Sequence, residues 1–168
     1  MYANYNEQLV ADLGNFIEQK PQEIPVGSDL AGMFALLFEV LQHPSLIVSI
    51  PILHCWTKLL RSRIVRESDV VQSKIGRLLE ICCARLVRYE ALPEDSEETT
   101  LLFLNEDIDT IPEKHAFLGN YRRFCAEVVE VLVRRTPVEA MAHILDQATT
   151  LFQNLYSDQP PFTRKYQM

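Results

Sequence analysis

One stretch, His43 to Tyr89, limits what this chain can fold into more than any other: HPSLIVSIPILHCWTKLLRSRIVRESDVVQSKIGRLLEICCARLVRY. It reads as two amphipathic helices joined by a short charged turn. In the second half Val71, Ile75, Leu78, Leu79, Cys82, Leu86 and Tyr89 recur at steps of three and four, while Arg77, Glu80, Arg85 and Arg88 take the opposite side. That spacing predicts one buried stripe and one wet face. A single helical hairpin cannot cover such a stripe, so further helices must stack on it, as a bundle or as a solenoid.

The rest of the chain supplies those helices. Tyr2 to Lys20 sets Tyr5, Leu9, Leu13 and Phe16 on one face, with Val10 and Ile17 beside them, and Pro21 and Pro25 end it. After a connector to Gly27, Ser28 or Asp29 can cap a second helix from Leu30 to Gln42, apolar enough to be buried on most sides. Pro44 and Ser45 turn the chain into the third helix, which Pro51 should bend. Ser68 is positioned to cap the fourth. Thr110 and Glu113 stand at capping-box spacing before a helix with Phe117, Tyr121, Phe124, Val128, Val131 and Leu132 in one stripe. Thr136, Pro137 and Glu139 open a last helix expected to bury Val138, Met141, Leu145, Ala148, Phe152 and Leu155.

The expectation is therefore an all-α segment of about six helices over residues 1–156, followed by a polar, proline-broken tail at 157–168. With 5 glycines against 9 prolines that fall mainly between periodic segments, a turn-rich β fold is disfavoured. The second and fourth helices start about 40 residues apart, a HEAT-type period.

Charge is unevenly spread. Between Glu90 and Glu113 there are nine acidic residues and no Lys or Arg; the 16 basic and 14 acidic residues outside that segment leave the rest of the chain at +2. Helical periodicity fails from Ala91 to Ile111, which reads as an acidic surface loop tethered by Leu101, Leu102 and Phe103.

The four cysteines, Cys55, Cys82, Cys83 and Cys125, form no CxxC pair and sit in apolar helical patterns, which predicts buried, reduced thiols. The first residues, MYANYNEQLVADLGNF, carry no basic start and no apolar core, so no signal peptide is expected. Leu46 to Trp56, interrupted by Ser49, Pro51 and His54, falls short of the roughly 20 apolar residues of a membrane span.

No converging catalytic or metal constellation stands out. His43, His54, His115 and His143 are scattered, and no HExxH, phosphate loop, nucleophile elbow or EF-hand pattern occurs. His54 and Cys55 are adjacent on a helix and so diverge. His143 and Asp146 read as a surface pair, and Asp107 with Asp109 lacks the glycine and terminal glutamate of a calcium loop. A non-enzymatic protein without cofactor or metal is the expectation. Binding has better material: Arg122, Arg123, Arg134 and Arg135 put cations at an early turn and at the end of one helix. Arginine forks suit phosphate, while the competing reading has them solvated and paired with Glu127 or Glu130.

Several of these features together resemble a known family. The run Phe34-Ala35-Leu36-Leu37-Phe38 before HPS, the Trp56 that follows, the LLRSRI turn, and an acidic insertion containing Asp107-Ile108-Asp109 ahead of an arginine-bearing helix resemble the mid-region of the exportin-5 β-karyopherins, including the fungal Msn-type exportins. The resemblance runs from Leu30 to Phe152. It implies a HEAT-repeat α-solenoid in a receptor that shuttles between nucleus and cytoplasm, carrying structured small RNA or phosphorylated protein under control of the GTPase Ran. It also implies that the repeats chiefly binding Ran lie outside this chain. In that setting the four arginines become cargo contacts, and Glu94, Asp95, Glu97, Glu98, Glu106, Asp107 and Asp109 become candidates to meet Ran or a basic cargo segment, against a loop that merely stays solvated. Val48 and Ser49 depart from the Val-Arg common in HEAT inner helices, and Pro51 is no HEAT signature. The alternative is a stand-alone adaptor domain holding a partner helix in an apolar groove. The end helices discriminate: a solenoid segment exposes apolar stripes there, whereas a complete domain is polar outside.

Overall fold

Trp56 lies at the centre of the core, fully buried, stacked on Phe34 at 5.6 Å between centroids and tilted against Phe38 at 4.8 Å. Such aromatic pairs contribute about 0.5–1.5 kcal/mol each beyond the area they bury. The computed structural model describes residues 2–93 and 96–155, with side chains described for 8–93 and 96–153. Over the described residues the chain is all-α. Its α-helices are α1 (Tyr2–Gln19), α2 (Leu30–Leu41), α3 (Leu46–Arg61), α4 (Arg63–Arg66), α5 (Asp69–Gln72), α6 (Ile75–Ala84), α7 (Thr99–Asp107), α8 (Ile111–Arg135) and α9 (Pro137–Leu155), with short 3-10 turns at Pro21–Glu23 and Tyr89–Ala91.

Helix α3 is the hub, packing against α1, α2 and α8; α8 packs in turn against α6 and α9, and α6 against α9. Helix α3 thus lies between α1 and α8, with α2 against α3, and with α6 and α9 against α8 and against each other. The local chemistry explains several boundaries. Asp29 caps α2 by accepting the Gly32 N–H at 2.8 Å, and Gly27, at φ +91°, supplies the left-handed turn before it. Thr110 caps α8 by accepting the Glu113 N–H at 3.4 Å, but the Glu113 carboxylate accepts from the Thr110 hydroxyl at 2.6 Å, so the reciprocal bond to the Thr110 backbone that completes a capping box is replaced by a side-chain bond. Pro51 sits inside an α3 that continues from Leu46 to Arg61.

Other expectations need correction. The fourth helix is divided into α5 and α6 and ends at Ala84; with α4 in the charged turn and α7 in the acidic insertion, the six expected helices become nine among the described residues. Ser68 does not cap: its hydroxyl donates back to the Val65 carbonyl at 2.6 Å. Thr136 likewise donates to Leu132 at 2.8 Å, while its backbone links α8 to α9. The acidic insertion is not structureless, because Thr100, Leu101 and Leu104 bury one face of α7; Leu102, expected as a tether, is exposed. Helix α2 buries only Phe34, Leu37, Phe38 and Leu41 and exposes Leu36. Cys55, Cys82 and Cys125 are buried, but Cys83 is exposed on the outer side of α6.

The largest correction concerns the end helices. Helix α1 turns Val10, Gly14 and Ile17 towards the core and leaves Leu9 67% exposed. The reason is close approach: a Cβ at Gly14 would stand 3.3 Å from Cys55 Sγ and 3.4 Å from the Cys55 backbone. Helix α9 does the same with Ala140, which is 1% exposed, while Val138, Met141, Leu145 and Phe152 stay 56–75% exposed. In both helices a small residue makes the closest approach; on α9 the larger apolar stripe is left uncovered, whereas on α1 Leu9 is exposed and Leu13 packs against the core. Tyr5 and Leu155, the other stripe residues, lie outside the described side chains, as do residues 156–168.

Candidate functional site

The C-terminal half of α8 faces the ends of α1 and α3 across a groove of about 710 Å³. Three of the four expected arginines, Arg123, Arg134 and Arg135, line it, and Arg61 from the end of α3 joins them. In the sequence Arg61 reads as part of the charged turn; its distance of 66 residues from Glu127 hides the association, and only its place in the last turn of a helix points to an available cation. Glu18, Glu127 and Glu130 share the groove. Arg61 donates to Glu127 at 3.0 Å and Arg134 pairs with Glu130 at 2.6 Å. All four groups are exposed, so these pairs contribute little to stability and can re-form around another anion.

Aromatic packing fixes the groove wall. Arg123 places its guanidinium carbon 5.4 Å from the centroid of the Phe124 ring. His54 meets the same ring edge-on, at 4.5 Å between centroids. Burial depresses the His54 pKa; the Glu127 charge opposes that shift, and Lys58 and Arg123 reinforce it. His54 is therefore neutral near pH 7 and adds no charge to the groove.

Arg122 does not join the other three. It turns from the groove to grip Glu90 in a two-pronged ion pair, with both N–O distances 2.8 Å and the side chains only 27% and 22% exposed. Burial works against the Glu90 charge, but the Arg122 hydrogen bond, a backbone hydrogen bond and the charges of Arg122 and His115 outweigh it and hold the carboxyl below its ordinary range. This pair ties the 3-10 turn after α6 to α8.

The acidic residues divide as well. Asp107 accepts a hydrogen bond from the buried Ser45 hydroxyl at 3.0 Å, anchoring the end of α7 to the start of α3. The Phe103 ring meets His43 edge-on at 5.6 Å on the same junction. Glu98 is the residue before α7 and, with Glu97, Glu106 and Asp109, is exposed; Glu94 and Asp95 lie outside the described residues. Among the described residues no helix is long and apolar enough to cross a membrane.

The comparisons with known proteins bear out the family resemblance. The model of the exportin-5 family matches residues 5–167. An uncharacterized protein of Schizosaccharomyces pombe is 34% identical over 152 residues, which cover 87% of this chain and 12% of that protein. The chain thus spans a small part of the length of this curated relative. No solved structure matches the chain. A family match over nearly the whole sequence means that this chain belongs to the exportin-5 family, a family of nuclear transport receptors.

Proposed function

We propose that the chain is one stretch of a HEAT-repeat α-solenoid in an exportin-5-type receptor, which carries structured small RNA or phosphorylated protein between nucleus and cytoplasm with the GTPase Ran. The observation that carries this reading is the stripe Val138, Met141, Leu145 and Phe152, exposed along α9, which packs on α6 and α8. Helical repeats leave such a stripe for the next pair of helices to cover. Exposed Leu9 and Leu36 at the other end argue against the rival reading, a self-contained adaptor with polar outer faces.

Within that receptor the groove residues Arg61, Arg123, Arg134 and Arg135 contact cargo phosphates, and Glu127 and Glu130 hold two of them until cargo arrives. Arg122 holds structure and does not bind cargo. Among the described residues, exposed Glu97, Glu98, Glu106 and Asp109 are available to meet Ran or a basic cargo segment, whereas Asp107 is engaged with Ser45. The test is cargo binding by the intact receptor carrying Arg123→Glu, Arg134→Glu and Arg135→Glu together. Weakened binding of phosphate-bearing cargo at low salt, with unchanged Ran binding, supports the assignment; unchanged cargo affinity removes it.

A further inference from the structure

Two rows of side chains meet where α3 packs on α8, beside the arginine groove. On α3, His54, Lys58 and Arg61 follow at steps of four and three; on α8, Arg123, Glu127, Glu130 and Arg134 follow at steps of four, three and four. Each row therefore runs along one helix face. The rows are joined at two points: Arg61 donates to Glu127 Oε1 at 3.0 Å, and two turns earlier on α3 the His54 ring meets Phe124 edge-on at 4.5 Å.

Glu127 is shared between these points. It holds Arg61, and its charge also favours a proton on His54. Burial and the charges of Lys58, on the same helix, and Arg123, on α8, act against that proton, so the ring of the free chain is neutral at pH 7. Glu18 from α1 and Glu130 from α8 border the same groove. An oxyanion held by the groove arginines changes this balance in two ways of the same sign. It draws Arg61 from Glu127, which strips that carboxylate of its cation, and it brings its own negative charge beside Arg123, whose guanidinium carbon lies 5.4 Å from the ring centre that His54 meets. Histidine is the side chain here with a proton to gain near neutral pH.

We propose that anion binding in the arginine groove is coupled to proton uptake at His54, the imidazolium replacing Arg61 as the counter-charge of Glu127. The coupling rests on the phosphate-binding reading of the groove. By reciprocity, an anion that favours the proton is itself bound more tightly by the protonated chain. Binding is therefore strongest below the free-chain pKa of His54, which burial holds under the ordinary 6.5, and weakens as the pH rises through the anion-bound value.

Sulfate serves as the probe, because its charge is constant across this range, whereas a phosphate monoester titrates at about pH 6. The His54 Cε1–H NMR signal of the intact chain is followed against pH in saturating sulfate and in chloride of equal ionic strength, with saturation read from the Nε–H signals of Arg123 and Arg134. The His54 midpoint should stand higher in sulfate by about half a pH unit, which corresponds to about threefold tighter sulfate binding below the midpoint than above it. The His115 midpoint should not move. Glu127→Gln should tighten sulfate binding, because Arg61 starts free, and should reduce the displacement of His54. His54→Gln should give one sulfate affinity at both ends of the range, with thermal unfolding verifying its fold. Sulfate that leaves the groove arginine signals unperturbed would remove the phosphate reading and the coupling with it. Sulfate that binds while the His54 midpoint stays at its chloride value, or a pH dependence that survives in His54→Gln, would overturn the coupling alone.

Discussion

Tyr121 on α8 donates its hydroxyl proton to Ser49 Oγ on α3 across 2.7 Å, with both residues 0% exposed. The direction follows because Ser49 uses its own proton on the Leu46 carbonyl at 2.9 Å. The two central helices are thus joined by one buried polar contact. Ser49→Ala leaves a buried phenol without its acceptor and should cost about 1–3 kcal/mol. Tyr121→Phe should cost less, because Ser49 keeps its bond to Leu46. In the double variant the loss should be smaller than the sum of the two, as read from urea unfolding followed by circular dichroism.

The thiols give a pH signature. Burial pushes Cys55 and Cys125 each up to about 11 from an ordinary value of 9.0, and Cys82 higher still. In the unfolded chain these thiols ionise near pH 9 while the folded chain keeps them protonated. Their contribution to stability is therefore complete below pH 9 and falls as the pH climbs towards 11. At pH 8 the native chain should show one accessible thiol, Cys83, towards a disulfide reagent, reacting more slowly than an unfolded thiol because partial burial raises its pKa, and four after denaturation. Fast reaction of several thiols without unfolding would contradict the packing of α6 on α8.

Arg122 and Glu90 predict the opposite limb. A carboxyl held below its usual range stabilises the fold above its unfolded pKa, and that stabilisation is lost as the pH falls through the folded value. Arg122→Gln should raise the Glu90 pKa, flatten the acid limb of the stability curve and cost about 1 kcal/mol at pH 7. Carboxyl carbon NMR titration reads the first effect, and thermal unfolding across pH reads the others.

The groove arginines should respond to salt as phosphate contacts do. Replacing Arg134 or Arg135 by Gln should reduce the slope of log affinity against log salt by roughly one unit per lost contact, whereas Arg122→Gln should leave the slope unchanged. Binding isotherms between low and moderate salt give the slopes.

Much of the fold is written in local pattern. The bounds of α1, α2 and α3 follow from proline positions and apolar period, and the Asp29 and Thr110 caps from side chains that reach the first backbone N–H groups. Helix α7 escapes a sequence reading because its acidic residues dominate the segment and its buried set, Thr100, Leu101 and Leu104, is too short to establish a period. The packed faces of α1 and α9 escape for a different reason. Periodicity finds the largest apolar stripe, while close packing is decided by Gly14 and Ala140, whose small size carries no hydrophobic signal. Of the binding candidates, the arginines on α8 are legible as a charged helix. That Arg122 leaves them for Glu90, and that Arg61 arrives from α3, depends on contacts 32 and 66 residues apart that no spacing rule contains.

The central claim is that further helices cover the stripe on α9, and thiol labelling tests it most directly. Met141→Cys and Phe152→Cys, introduced separately, should react within minutes with a maleimide in the 168-residue chain, where both positions are exposed. In the intact receptor the same positions should be protected at least tenfold, while exposed Cys83 on α6 reacts at a comparable rate in both and serves as the internal reference. Equal labelling of the two introduced thiols in the isolated chain and in the receptor, with the reference unchanged, would contradict the account.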